Sequence, residues 1–363
     1  MPSRTRTGPS QTAPLVVDGK ALAGRDPYDL LIIGAGPAGL AAARGAAAAG
    51  ARVALIESQH LGGNSLQEGC IPSKTILRSA QLIAEMRNAQ SFGVGALAEI
   101  KVDFAAVMAR MRRVRDRILR LESAVRLQET GIELHVGRAR FDSADAVDVD
   151  GVRLRFKKAL IATGSRPLVP DIEGLADAGF LTNENVFELK LLPQSLLVIG
   201  GGPLGCELAQ AFARFGSRTL ISHSEPLFLP REERDAAQMV AHALAHDGVE
   251  IHLNCQVVAV RREGGRKHVT MVNDGNRSTT VVDEILTGIG RLPAVQGLNL
   301  EAAGVDYDAK TGIQVDDFLR TRNPRIFAAG DACLEHAFTN TAEASARIVV
   351  RNALHRARQR ISA

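Results

Sequence analysis

Short apolar runs that end on glycine divide this chain into elements. Tyr28-Asp29-Leu30-Leu31-Ile32-Ile33 is such a run and predicts a buried strand. An alanine-rich stretch follows at helical period from Pro37 to Ala49, and Gly50 stops it. Arg52-Val53-Ala54-Leu55-Ile56 predicts the next strand, closing on Glu57. The same order recurs later. Ser195-Leu196-Leu197-Val198-Ile199 predicts a strand, a helix runs to about Phe215 and ends at Gly216, and Arg218-Thr219-Leu220-Ile221-Ser222 returns. Strand, helix, parallel strand is a β-α-β unit, so the pattern predicts an α/β fold with two parallel sheets wrapped by helices.

Between the two units, 101–127 carries apolar residues at helical spacing: Phe104, Val107, Met108, Met111, Val114, Ile118 and Leu121. Arg110, Arg112, Arg113, Arg115, Arg117 and Arg120 occupy the opposite face. That face reads as solvated, or as turned toward cofactor phosphates. A nucleic-acid stripe would want aromatic platforms, and none accompanies it. Short strands are expected at Ile132–Val136, Ala146–Val149 and Ala159–Ala162, the last leading into the exit loop Thr163-Gly164-Ser165-Arg166-Pro167. The second unit closes over Glu284–Arg291, which includes Gly288 and Gly290. A final strand at Arg325–Ala329 ends in Gly330-Asp331, and a helix is expected from about Thr341 to Leu354.

Composition narrows the classes. A length of 363 residues suits about two domains. The formal net charge of +4 is too small to argue for nucleic acid. No N-terminal apolar core of a signal peptide and no long uncharged apolar run is present, so neither secretion nor a membrane span is expected. The four cysteines, Cys70, Cys206, Cys255 and Cys333, show no metal-type spacing, so no metal site is expected. A reduced, cytoplasmic protein is the simplest expectation.

The chemistry concentrates at the two turns. Gly34, Gly36 and Gly39 form a G-x-G-x-x-G turn, with Pro37 and Ala38 opening the helix. Gly200, Gly202 and Gly205 form the second, with Pro203 opening its helix. The first glycine permits the bend, the second lets backbone approach a pyrophosphate, and the third lets helix pack on strand. The free N–H groups of the helix N-terminus then face the negative charge. Each turn follows a strand, opens a helix and precedes another strand, as two Rossmann-like dinucleotide-binding domains require. After the first turn, Glu57 and Ser58 stand where ribose hydroxyls are read. After the second, His223 and Ser224 occupy that place, and the lack of an acid there admits a 2′-phosphate. NADPH is favoured over NADH on this ground.

Leu61-Gly62-Gly63-Asn64-Ser65-Leu66-Gln67-Glu68-Gly69-Cys70-Ile71-Pro72-Ser73-Lys74 adds a third motif. It resembles the FAD-dependent pyridine nucleotide–disulfide oxidoreductases, and among them the mercuric reductase and dihydrolipoamide dehydrogenase group. Gly62, Gly63, Gly69, Cys70, Pro72, Ser73 and Lys74 match that pattern, as do Thr163-Gly164, Gly290-Arg291-x-Pro293 and Gly330-Asp331. The resemblance implies FAD at the first turn and NADPH or NADH at the second. It implies that Cys70 faces the flavin as a charge-transfer thiol. Lys74 and Glu207 would pair beside flavin N5, and Asp331 would hold the ribityl chain. Gly137 and Ala139 would offer backbone to the adenine side, and Ser165, Phe338 and Thr339 would complete the cofactor set. Cys206, Cys255 and Cys333 are assigned to packing.

Two departures from the family pattern stand out. The family's first redox cysteine is Ser65 here, and a hydroxyl forms no disulfide. The chain also stops at Ala363, so the family's C-terminal dimerisation domain, on which its homodimers depend, is expected to be absent. The expected organisation is a flexible tail over 1–26, an FAD-binding domain over 27–167 and 289–363, and a nicotinamide domain over 168–288. The expected function is hydride transfer from NAD(P)H to flavin, with electrons leaving to a small-molecule acceptor. A transhydrogenase-like exchange and a nucleotide-binding protein without enzymatic activity are the two readings left beside it.

Overall fold

The computed structural model describes residues 26–95 and 100–362. The tail expected over 1–26 lies, apart from Asp26, outside the described residues. The first unit opens with β1 (Tyr28–Ile33), α1 (Pro37–Ala48) and β2 (Val53–Glu57). Helices α2 (Gly63–Gln67), α3 (Cys70–Arg87), α4 (Phe104–Leu121) and α5 (Ala124–Glu129) follow. Next come β3 (Ile132–Val136), β4 (Ala139–Ser143), β5 (Ala146–Val149), β6 (Val152–Ile161) and the short β7 (Ser165–Pro167). The sheet order is β3-β2-β1-β6-β5-β4, with β1, β2, β3 and β6 running parallel. Alternate residues of β1 serve opposite cores. Leu30 and Ile32 pack under α1, while Leu31 and Ile33 join Phe141, Phe156 and Val305 on the other face. A parallel strand covered on both faces reads as a continuous apolar run for this reason.

The chain then builds α6 (Leu175–Ala178), β8 (Ser195–Ile199), α7 (Pro203–Phe215), β9 (Arg218–Ser222), α8 (Arg234–His246) and β10 (Val249–His252). A meander follows: β11 (Cys255–Glu263), β12 (Arg266–Asn273) and β13 (Asn276–Val282). Strand β14 (Glu284–Thr287) completes a parallel sheet of order β10-β9-β8-β14. Strand β15 (Arg291–Pro293) pairs with β7, so the return crossing is stitched to the outgoing one. A small hairpin, β16 (Tyr307–Asp308) with β17 (Gly312–Ile313), precedes β18 (Ile326–Ala328). Strand β18 joins the first sheet beside β6, and α9 (Thr339–Leu354) packs on α1. Both ends of the described chain therefore build one sheet.

Three expectations change. The helix expected over 101–127 is two helices, because Ser123 caps a fresh start by accepting from the Arg126 N–H at 3.5 Å. Its apolar face is fully buried only at Phe104, Met108 and Met111, and Leu121 is 50% exposed. The strand expected at Ala159–Ala162 is the end of the ten-residue β6, whose Val152, Leu154 and Phe156 alternate with outward Arg153, Arg155 and Lys157. Among the described residues, no helix is long and apolar enough to cross a membrane.

Candidate active site

One cavity of about 1370 Å³ lies at the carboxyl ends of both sheets. That is the usual ligand position in open α/β sheets. Its volume exceeds the range of roughly 300–1,000 Å³ that holds one small ligand, in keeping with two phosphate-binding turns on its wall.

The first turn is held by a left-handed Gly34, φ +103, where a Cβ would meet the Ala162 carbonyl oxygen at 2.4 Å. Gly36 caps α1 and Pro37 occupies its first turn, leaving the helix N-terminus facing the cavity. Glu57 is fixed by two backbone donors: Ala35 N–H and Gln59 N–H each reach its carboxylate at 2.7 Å. Ser58, Gly63, Gly137 and Ala139 line the same end. Thr163 contributes a buried hydroxyl that has no partner among the described residues.

The second turn repeats the geometry with Gly202 capping α7 and Pro203 after it. His223 stands at the end of β9, but its ring is already engaged. Gly201 N–H donates to Nδ1 at 3.3 Å, which leaves Nε2–H to donate to the Leu227 carbonyl at 3.1 Å. Phe228 packs edge-on against the ring at 6.2 Å. Ser224 lines the cavity beside it, as do Glu225 and Arg231, which the strand-helix pattern does not single out.

Three of the expected cofactor residues do not line the cavity: Gly39, Gly62 and Gly205. They sit behind its wall. A Cβ on Gly39 would lie 1.8 Å from the Gly34 carbonyl oxygen, and one on Gly205 would lie 2.5 Å from that of Gly200. Gly62, left-handed at φ +90, caps α2 and donates its N–H to the Ala35 carbonyl at 2.9 Å. Gly39 and Gly205 let backbone pack on backbone, and Gly62 leaves room for the Leu66 side chain. Gly164, Gly200, Gly288, Gly290 and Gly330 do reach the wall.

Between the two turns the units meet. Lys74 on α3 donates to Glu207 on α7 at 2.6 Å. Cys70, the first residue of α3, is exposed to the cavity. Its Sγ lies 3.6 Å from Thr339 Oγ1, and Ser65 Oγ lies 2.9 Å from the same hydroxyl. Thr339 begins α9, and Phe338 before it is 58% exposed. Burial pushes the Cys206 and Cys333 thiols up to about 12, and Cys255 is 1% exposed. Cys70 is thus the exposed thiol among the four cysteines.

A polar knot closes the thiol end. Arg291 donates from Nε to Ser165 Oγ and from Nη2 to the Ser165 carbonyl, both at 2.7 Å. Its Nη1 reaches Asn183 Oδ1 at 3.2 Å. Ser165 Oγ donates onward to Asp331 at 2.6 Å, and Asn64 Nδ2 donates to the Ser165 carbonyl at 2.8 Å. Asn183 is 4% exposed, and its Nδ2 has no partner among the described residues. Burial holds the Glu68 carboxyl above the usual carboxylate range, and the neighbouring Glu184 adds to this. Of the arginine face on α4, Arg115 turns inward to Glu188 at 2.9 Å, and Arg110 donates to the Thr75 carbonyl at 3.0 Å. Among the described residues, no group of three or more His, Cys, Asp or Glu is arranged to hold a metal ion.

Comparison with known proteins agrees with this architecture. Residues 28–347 match the family described as pyridine nucleotide-disulphide oxidoreductase. The mercuric reductase of Lysinibacillus sphaericus is 35% identical over 335 residues, covering 92% of this chain and 61% of that protein. The dihydrolipoyl dehydrogenase of Bacillus subtilis (strain 168) is 35% identical over 309 residues, covering 84% of this chain and 66% of that one. A solved structure, the HOCl-induced flavoprotein disulfide reductase RclA from Escherichia coli, is similar with a TM-score of 0.80 at 31% identity, covering 92% of this chain and 73% of that one. The chain therefore spans about three fifths of the length of the mercuric reductase it matches.

Proposed function

This chain belongs to the pyridine nucleotide–disulphide oxidoreductase family, and on that premise we propose that it is an FAD-dependent NAD(P)H oxidoreductase without a disulfide relay. Hydride enters from the nicotinamide, and electrons leave to a small-molecule acceptor such as a quinone, a dye or dioxygen. The observation that carries this reading is the Lys74–Glu207 pair, 2.6 Å long, which joins the two units between their glycine turns.

The wall fits FAD. A helix N-terminus faces the pyrophosphate place, Glu57 is fixed with oxygens left for ribose hydroxyls, and an orphan Thr163 hydroxyl awaits a partner. FAD, when bound, supplies the two-electron chemistry, and the protein supplies position and charge. Asp331, fixed by Ser165, would take the ribityl hydroxyls. Lys74, whose ammonium Glu207 fixes, would place positive charge beside the flavin ring as it gains electrons. The N-terminus of α7 would hold the nicotinamide dinucleotide. Arg231 and Ser224 at the cavity rim favour a 2′-phosphate and so NADPH.

The relay is the part this chain alters. Ser65 can hydrogen-bond Thr339 but stores no electron pair with Cys70. The test is anaerobic addition of NADPH, and separately NADH, to the FAD-loaded protein. The flavin absorbance bleaches in the expected outcome, faster with NADPH, and returns when a quinone is added. A flavin that stays oxidised under both cofactors overturns the proposal.

A further inference from the structure

Away from the cavity, cations gather around one ring. The guanidinium carbons of Arg320, Arg358 and Arg360 lie 5.2, 5.5 and 5.5 Å from the centre of the Phe318 ring. Lys158 on β6 belongs to the same cluster. Its ammonium donates to the Pro324 carbonyl at 2.9 Å, and burial together with the charges of Arg325, Arg320 and Arg356 holds it below the ordinary lysine range. None of these residues lines the cofactor cavity. Pro324 and Arg325 precede β18, whose other end leads to Gly330-Asp331 on the cavity wall, so the cluster sits at the opposite end of the first sheet.

The charges do not cancel. Arg320 has a bidentate partner in Asp316, at 3.0 and 2.8 Å. Arg360 reaches Asp317 at 3.8 Å, and Arg325 reaches Asp145 at 3.9 Å. Lys158, Arg356 and Arg358 have no carboxylate within ion-pair distance among the described residues. The fold nevertheless holds these like charges together. Asn352, 9% exposed, donates from Nδ2 to the carbonyls of Phe318 and Gln359 at 3.1 and 2.9 Å, and its Oδ1 accepts from the Gln359 N–H at 3.0 Å. Ile361 N–H donates to the Asp317 carbonyl at 2.9 Å, and the Ile361 side chain packs against the core that α1 and α9 share. Arg356, between α9 and this clamped segment, is left-handed at φ +53. A segment clamped so that unpaired cations meet, against their repulsion and with a strained residue, has the construction of an anion site.

We propose that Lys158, Arg356 and Arg358 bind a polyphosphate group on this surface. Guanidinium forks match phosphate oxygens, and cations spread over several residues suit a chain of phosphates better than one carboxylate. Guanidinium groups already lie over the Phe318 ring, so it is not a stacking platform for a base, and the phosphates are what the surface reads. This site is independent of the hydride chemistry proposed above.

The test is calorimetric titration of inorganic tripolyphosphate into the FAD-loaded protein, with saturating NADP+ to fill the second glycine turn. One binding event is expected, and it weakens as salt rises. Lys158→Gln, Arg356→Gln and Arg358→Gln each remove one charge-assisted contact and should weaken it by about tenfold, while the flavin response to NADPH stays that of the wild type. ATP is titrated in parallel, and equal affinity marks recognition of the phosphate chain, whether free or carried by a nucleotide. Thermal midpoints of the ligand-free variants show that each is folded, and Lys158→Arg, which keeps the charge, is expected to retain binding. No binding at millimolar tripolyphosphate overturns the proposal, as does an affinity that the three Gln variants leave unchanged. An affinity abolished by Arg231→Ala alone would place the anion in the cavity and also overturn it. Binding of ATP without binding of tripolyphosphate, or a loss that Lys158→Arg shares with Lys158→Gln, counts against it equally.

Discussion

Replacing Ser65 by Cys should create the disulfide that this chain lacks. Ser65 Oγ and Cys70 Sγ both converge on one hydroxyl, Thr339 Oγ1, at 2.9 and 3.6 Å. The intervening loop is already compact, with α2 closing on the Asn64 carbonyl and α3 starting at Cys70. The two side chains thus point at one place, as disulfide formation requires. The bridge would close a loop of about six residues, for which chain entropy alone gives ~2 kcal/mol of stabilisation. That corresponds to a rise of a few degrees in the thermal midpoint. The assay is a thiol titration under denaturing conditions after air oxidation. The variant carries one cysteine more than the wild type, yet is expected to titrate fewer thiols until reductant is added. Anaerobic NADPH should then be consumed twice over, once for the flavin and once for the disulfide. A variant that titrates one extra thiol after oxidation would refute the convergence of these two side chains.

The remaining predictions test other parts of the molecule. Lys74→Met should slow NADPH-driven flavin bleaching by about 10²-fold, the scale for loss of one preorganised electrostatic group, while the midpoint stays nearly unchanged because the Lys74 side chain is 57% exposed; stopped-flow absorbance and calorimetry check both. Arg231→Ala should cut the preference for NADPH over NADH by about tenfold, on the scale of one lost charge-assisted contact to a 2′-phosphate, read as the ratio of kcat/KM values. Burial holds the His135 imidazole below its ordinary 6.5, so its neutral form is favoured in the fold. That stabilisation is complete above pH 6.5 and is lost as pH falls through the lower folded value. His135→Gln should flatten the fall in thermal midpoint across that window. Glu68 has the opposite sign: its raised carboxyl costs stability once ionised, so Glu68→Gln should raise the midpoint at neutral pH and leave it unchanged in acid.

What the sequence reveals is set by the range of the forces involved. The glycine turns are legible because their demands are local. Gly34 and Gly200 bend the chain at φ +103 and +101, and the strands before them are buried on both faces. Helix α3 carries Ile76, Ala80 and Ile83 at helical spacing, and only its start is obscured, because Pro72 falls in its first turn, a position helices tolerate. The meander β11–β13 is hidden because β13 is exposed over most of its length and shows little apolar alternation. His223 keeps its place at the end of β9, but the sequence gives no sign that Gly201 and Leu227 already engage its ring. The knot of Asn64, Ser165, Asn183, Arg291 and Asp331 joins five distant segments, and no local pattern announces it.

This contrast bears on how such a fold changes chemistry. The cofactor end of the cavity is built from backbone: helix N-termini, turn amides and glycines that no side chain could replace. Substitution there breaks the packing of α1 on β1 or of α7 on β8, so that end is held fixed by folding itself. The thiol end is built from side chains on the loop before α3, the segment at Asn183–Glu184, strand β15 and the start of α9. Each can be exchanged without disturbing a turn. Ser65 stands there with its hydroxyl on Thr339 and forms no disulfide with Cys70, while Lys74 and Glu207 pair across the two units. On the proposed function, the thiol end can therefore change one residue at a time, while the two glycine turns are held by the same constraints that hold the two sheets together.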